Sequence, residues 1–279
     1  MHSWLKLMRI KHWVKNLLVF APAFFAGKIL EKQFFLLSFW AFFSFCFCAS
    51  SLYIVNDILD LHADRNHPIK KNRPLARGDI SVFQAIILAV ICLIGSFCFS
   101  YNLGRDFFIV IGIYILLNIS YSVFLKRIPL LEIFIVSFGY LLRITGGGIA
   151  TKITVSSWLF MGTFLISLLI FFGKRRAEIV LLKEQAQKHR AVLSDYDLEY
   201  LNLCVVTTGA SSLVMYVIYA VEKGNHLIYT AIPAAYGILR YLKLVLVGKG
   251  GDPIETLIKD HHLWMAVFLF LAGIALAIY

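Results

Sequence analysis

Long apolar stretches separated by short polar ones dominate the chain. Nine such runs can be traced, at about 17–30, 34–57, 82–101, 107–124, 129–150, 155–172, 200–221, 226–247 and 262–279. They lack the apolar–polar alternation of a half-buried strand. Most of the runs approach the length a helix needs to cross a bilayer. In lipid, only helices and closed barrels satisfy every backbone N–H and C=O. The pattern predicts an all-α, polytopic membrane protein, a bundle of nine transmembrane helices in a single domain covering 1–279. The first run is short, and Pro22 predicts a kink in it. No internal repeat, linker or low-complexity tail is visible.

Composition narrows the class further. The chain is 60% hydrophobic and 15% charged, whereas soluble domains are about 25% charged. The formal net charge is +11. A basic chain raises the question of nucleic acid, but here the charge sits in short loops between apolar runs. Membrane lipids and phosphorylated substrates are the partners this implies, with no nucleic acid. The five cysteines, Cys46, Cys48, Cys92, Cys98 and Cys204, lie inside apolar runs without metal-ligand spacing and read as small core residues. Residues 1–16 are too polar for a cleaved signal peptide. They read as an interfacial amphipathic segment, with Trp4, Leu5, Met8 and Trp13 towards lipid and Lys6, Arg9, Lys11 and Lys15 towards headgroups.

Cation placement gives an orientation. Of 27 Lys and Arg, only Lys28, Lys32, Arg105, Lys152 and Lys223 lie on one side, and Arg143 lies within a run. The other 21 cluster on the opposite side. The positive-inside rule then puts the N-terminus and the even-numbered loops in the cytoplasm and the C-terminus outside, in the cell (inner) membrane.

The chemistry concentrates in residues 56–78, NDILDLHADRNHPIKKNRPLARG, just after the second run. Asn56, Asp60 and Asp64 are four apart and fall along one helical ridge, with Asp57 on its flank. Carboxylates this close repel unless something positive sits among them. Hard cations such as Mg²⁺ take oxygen ligands and commonly share them with substrate phosphates. Asn56, Asp57, Asp60 and Asp64 are therefore the candidate metal ligands. Pro68 should stop the helix, and His67 beside it reads as a structural loop residue. Lys70, Lys71, Arg73 and Arg77 follow, a cationic loop suited to a diphosphate leaving group.

This stretch resembles the first aspartate-rich motif of the UbiA superfamily of intramembrane prenyltransferases, NDxxDxxxD followed by a basic RPxxxG loop, here Asn56, Asp57, Asp60, Asp64, Arg73-Pro74 and Gly78. The resemblance implies a UbiA-like helical bundle, Mg²⁺ as cofactor and a cytoplasmic active site. It also implies that Tyr121 and Lys126 in YSVFLKRIPLLE face the diphosphate. Glu132 and Arg127 are the other polar members of that loop, and Arg127 equally marks the inner membrane edge. Relatives usually carry a second aspartate-rich motif after the sixth helix. This chain has Gly173-Lys174-Arg175-Arg176-Ala177-Glu178 there instead. That departure, with Lys11-His12-Trp13-Val14-Lys15-Asn16 near the start, resembles the decaprenyl-phosphate phosphoribosyltransferase branch, which supplies arabinan precursors for the cell wall. The branch implies phosphoribosyl pyrophosphate and a polyprenyl phosphate as substrates. Asp60, Asp64, Lys126 and Lys174 would then be catalytic. Lys15, Lys70, Arg73, Arg77, Tyr121, Arg143, Arg175, Arg176 and Glu178 would bind substrate.

Arg143 lies inside the fifth run, where a guanidinium is costly and a functional candidate. Phosphate binding and pairing with a carboxylate are both open to it. Gly146, Gly147 and Gly148 lack the strand and GK[ST] of a phosphate loop and read as close helix packing. The rival readings are a UbiA enzyme prenylating an aromatic or other acceptor, and a non-catalytic transporter or lipid scaffold. The missing second aspartate motif speaks against the first, and the absence of symmetric helix breaks against the second. Homo-oligomerisation is left open.

Overall fold

The structure, a computed structural model, describes residues 2–66, 70–182, 191–248 and 253–279. Among the described residues, seven helices are long and apolar enough to cross a membrane. They are α1 (Lys32–Leu59), α2 (Val82–Ser100), α3 (Arg105–Val123), α4 (Leu131–Thr151), α5 (Ser157–Leu182), α6 (Leu198–Lys223) and, after the shorter α7 (Ala231–Leu246), α8 (His261–Ile278).

Two of the nine apolar runs take another form. The first is a 3₁₀ helix, Ile10–Phe20, followed by a short α-helix, Ala21–Phe25. Pro22 stands in the first turn of that helix, where its missing N–H is not needed. The eighth run is a 3₁₀ segment, Asn225–Thr230, leading into α7, with Pro233 again in the first α-turn. A 3₁₀ helix rises about 2.0 Å per residue against about 1.5 Å for an α-helix. Ile10–Phe25 therefore covers about 30 Å, the thickness of the hydrocarbon layer, with few residues. The expected stop at Pro68, the role of His67 and the polar stretch 183–190 lie outside the described residues.

The chain forms two compact units. One is Met1–Phe124 with Gly139–Val155, the other Leu125–Phe138 with Ser156–Tyr279. In the first unit, α1 and the greater part of α4 are the enclosed helices. The apolar stretch of α1 is 50% buried and that of α4 61%, against 22% for α2 and α3. Phe45 of α1 packs edge-on to Phe107 and to Tyr114 of α3, with ring centroids 5.9 and 5.4 Å apart. Small residues let the backbones approach. A Cβ on Gly147 would lie 2.1 Å from the carbonyl oxygen of Val19, so the glycine run serves close packing as its sequence implied. Ser44, Ser96 and Ser100 are buried and hydrogen-bonded across α1 and α2. Ser81 and Gln84 form a capping box at the start of α2.

The cysteines divide. Cys46, Cys48 and Cys92 are buried as expected, but Cys98 is exposed and Cys204 half-exposed. Both lie on membrane helices, where a surface side chain meets lipid rather than water and need not be enclosed by protein.

In the second unit, α5 and α6 pair along their length, and α7 packs on both α6 and α8. Asp260 caps α8 by accepting the Leu263 N–H at 2.8 Å. Arg240 holds the same carboxylate at 2.7 Å.

Candidate active site

The acidic ridge forms where α1 ends. Asp60 has φ −91° and ψ 3°, and the chain continues into a short helix, Leu61–Arg65. Backbone bonds from Asp60 N–H to Asn56 O (2.9 Å) and from Asp64 N–H to Asp60 O (2.8 Å) keep the helical spacing through this junction. Asn56 Nδ2 accordingly reaches Asp60 Oδ2 at 3.2 Å. Asp57 and Asp64 are buried, while Asn56 and Asp60 are half-buried.

Positive groups sit among the carboxylates, as their mutual repulsion requires. Arg73 Nη1 bridges Asp57 Oδ1 at 3.0 Å and Asp64 Oδ2 at 2.5 Å. Lys70 stands 3.9 Å from Asp64. Arg73 reaches inward because it precedes the short helix Pro74–Arg77, which ends at left-handed Gly78 (φ 86°). Arg77 is turned elsewhere. It is exposed and bonded to Asp79, and that hydrogen bond raises its pKa above the ordinary guanidinium value.

A further cation was not assigned to this cluster from the sequence. Arg9, expected to face lipid headgroups, instead pairs with Asp57 and lies over the Tyr53 ring at 4.9 Å. The segment around it packs on α1. Leu7 and Asn16 are buried. Trp13 Nε1 donates to Ser50 Oγ at 3.0 Å, and Ser50 donates to Met8 O at 2.8 Å. Lys15 is half-buried on the same segment.

Arg143 is buried in α4 among neutral partners. It donates to Asn16 Oδ1 (2.6 Å), Gly139 O (2.6 Å) and Tyr114 Oη (2.7 Å), with the Tyr114 and Tyr140 rings against its guanidinium. Its visible partners are neither phosphate nor carboxylate, and they tie the N-terminal segment to α3 and α4. Tyr121, half-buried near the end of α3, completes the candidates of the first unit.

The second unit holds the remaining candidates. Lys126 lies in a 3₁₀ turn, Leu125–Arg127. The first turn of α4 carries Glu132, which is fully buried. Arg175 donates to both its oxygens, at 2.5 and 2.9 Å, and to Glu178 Oε2 at 2.5 Å. Arg176 is bound to Asn202 Oδ1 (2.6 Å), Val245 O (2.7 Å) and Leu246 O (2.9 Å). Both guanidiniums are thus engaged inside the unit. Lys174 and Glu178 are half-buried at the same helix end. Glu132 stood in the sequence as a polar loop residue with nothing to mark its partner 43 positions on.

The donor set fits a hard divalent cation. Asn56 and Asp60, half-buried, offer amide and carboxylate oxygens one turn apart, with Asp57 and Asp64 behind them held by arginine and the cations Lys70 and Arg73 able to meet an anionic co-ligand. Among the described residues no group of three His, Cys, Asp or Glu converges closely enough to enclose a metal by itself. A cation there would complete its shell with water or substrate oxygens, as Mg²⁺ usually does.

A helical membrane bundle with one oxygen-rich ridge and a facing cationic loop defines a class, and the comparisons agree. The UbiA prenyltransferase family model matches residues 17–257, and the chain belongs to that family. It is a membrane-embedded, multi-pass transferase. The chain is 35% identical to the decaprenyl-phosphate phosphoribosyltransferase of Corynebacterium glutamicum, over 99% of this chain and 86% of that protein. It is 33% identical to the enzyme of the same name from Mycolicibacterium smegmatis, over 99% and 92%. Among solved structures, a UbiA homologue from Archaeoglobus fulgidus bound to DMAPP and Mg²⁺ superposes with a TM-score of 0.74 at 18% identity, covering 99% of both chains. At that identity the match shows the fold.

Proposed function

We propose that this protein transfers 5-phosphoribose from phosphoribosyl pyrophosphate to a polyprenyl phosphate of the decaprenyl type, releasing diphosphate. The observation that carries the reading is the 35% identity, over 99% of the chain, to an enzyme named for that acceptor and that group. A phosphate oxygen of the acceptor attacks C1 of the ribose, and the C1–O bond to diphosphate breaks with its electron pair leaving on the diphosphate. The acceptor is a phosphate monoester, already ionised near neutral pH, so the chain needs no strong general base. Asn56 and Asp60, with Asp57 and Asp64 beside them, would hold Mg²⁺, which when bound neutralises charge on the departing diphosphate. Lys70, Arg73 and Lys126 add fixed positive charge for the same group. Lys174 serves the donor's 5-phosphate and Glu178 a ribose hydroxyl. Arg175 and Arg176 hold the end of α5 through their internal bonds. The clustering of 21 of 27 cations supports a cytoplasmic site and N-terminus in the cell membrane.

The test is direct. Purified protein is incubated with Mg²⁺, labelled phosphoribosyl pyrophosphate and a polyprenyl phosphate, and label is followed into the organic phase. Transfer is expected for the native chain and a loss of at least about 100-fold for Asp60→Asn. Transfer that survives both Asp60→Asn and Lys174→Ala removes the site assignment. Prenylation of an aromatic acceptor in a parallel reaction, without ribosylation, moves the protein to another branch of its family.

A further inference from the structure

The chain between α3 and α4 reverses sharply at Leu130. Leu130 has φ 61°, and the Leu131 N–H reaches back to Pro129 O at 2.7 Å, two residues away. This is the strained form of the γ-turn, rare for a residue that carries a side chain. Such a backbone persists only where its surroundings hold it. The Leu130 side chain is 38% exposed, so its own packing does not impose the turn. Two tethers from the second unit do. The Leu130 N–H donates to Tyr196 Oη at 2.7 Å, across 66 positions. Two residues on, the Glu132 carboxylate takes two nitrogens of Arg175.

Tyr196 is itself well placed to hold something. It is buried, and it follows a 3₁₀ helix, Ala191–Asp195, whose Val192 and Leu193 are buried as well. That helix packs on the 3₁₀ turn Leu125–Arg127, which carries Lys126. Little slack separates Lys126 from Leu130. The Ile128 N–H donates to Leu125 O at 3.2 Å and the Glu132 N–H to Ile128 O at 3.1 Å, while Pro129 has a fixed φ. A shift at Leu130 is therefore passed to the base of the Lys126 side chain. Fixed positive charge assists a reaction only where it already stands in place when charge develops.

We propose that Tyr196 is a positioning residue: its hydroxyl holds the Leu130 turn and thereby sets the reach of the Lys126 ammonium towards an anionic group of the substrate. The inference rests on the proposed function only in taking that group to be the diphosphate.

The probe is inorganic diphosphate with Mn²⁺, measured by calorimetry on the full chain in detergent. Tyr196→Phe removes one oxygen and keeps the buried ring. Its Kd should rise about fivefold, the worth of one neutral hydrogen bond, with a melting temperature within about 4 °C of the native value. Lys126→Ala should also weaken binding, and adding Tyr196→Phe to it should cost nothing more, because residues acting through one contact do not add. A packing role alone would give the same factor in both backgrounds. Leu130→Gly in the Tyr196→Phe protein should recover most of the loss, since glycine takes a positive φ without a tether. In the transfer reaction, Tyr196→Phe should lower kcat and leave the KM for polyprenyl phosphate unchanged. Native diphosphate affinity in Tyr196→Phe overturns the assignment, as does an equal loss in the Lys126→Ala background or a native chain that binds no diphosphate. No recovery with Leu130→Gly removes the turn as the link between Tyr196 and Lys126. If the coupled losses appear in a chain that transfers no phosphoribose, the proposed function fails and Tyr196 keeps its role.

Discussion

Lys174, Arg175 and Arg176 are consecutive and alike in charge, yet they do different things. Arg176 caps the carbonyls of Val245 and Leu246 at the end of α7 and holds Asn202 of α6. The last carbonyls of a helix lack intrahelical partners, and a guanidinium meets two at once. Arg176→Lys keeps the charge but cannot reproduce the fork. It should destabilise the second unit by about 1–3 kcal/mol, the cost of leaving buried acceptors unmet. A lower melting temperature in detergent would register this. Glu178 stands three residues from Arg175, but Glu132, Val245 and Leu246 lie 43, 69 and 70 positions from the arginines they meet, so no local spacing points to them. Asn56 and Asp60 were legible, because four-residue spacing on a helix puts them in contact whatever the rest of the fold does. Arg9 was hidden by its setting. In a basic amphipathic segment, one more cation looks like a headgroup contact.

At the scale of elements, the apolar runs match the long helices closely, except that α5 continues ten polar-rich residues past its run to Leu182. The two runs containing proline near their starts were harder to place, because a proline accepts the first turn of a helix as readily as it breaks one. The Ile10–Phe20 segment, read as interfacial as far as residue 16, is built against α1 and α4. Its backbone passes so close to Gly147 that a methyl group there has no room. Gly147→Ala should therefore cost about 1–3 kcal/mol through forced separation. Gly112, in the middle of α3 with nothing within 4 Å of its missing Cβ, gives the opposite case. Gly112→Ala should stabilise by about 0.5–1 kcal/mol through helix propensity alone. Thermal unfolding of the two variants side by side tests both signs. The glycine triplet announced close packing in the sequence; which backbone it admits did not, because Val19 lies 128 positions earlier.

For the molecule as a whole, the lopsided placement of Lys and Arg predicts an orientation that chemistry can read. With Cys98 and Cys204 first replaced by serine, Lys152→Cys should react with a membrane-impermeant maleimide in intact cells. Lys71→Cys should react only after the membrane is opened. The reverse pattern would put the acidic ridge outside and remove access to a soluble phosphorylated donor made in the cytoplasm. Class, helix content and family could all be read from the chain because the bilayer imposes length and polarity on every crossing element. The division into two compact units could not be read. The boundary between Phe138 and Gly139 falls inside α4, where the chain shows no linker, proline or change of composition.

The stretched N-terminal helix sets a ruler between two anchors. Arg9 is fixed at Asp57 and Asn16 at Arg143, and the seven steps between them reach about 14 Å at the 3₁₀ rise but only about 10.5 Å in an ordinary helix. If that stretch relaxed to α-helical winding, one anchor would have to let go. Two inserted residues would restore the reach in relaxed form, at about 13.5 Å. The tension between depth in the membrane and grip at its edge is thus written into the number of residues from Arg9 to Asn16.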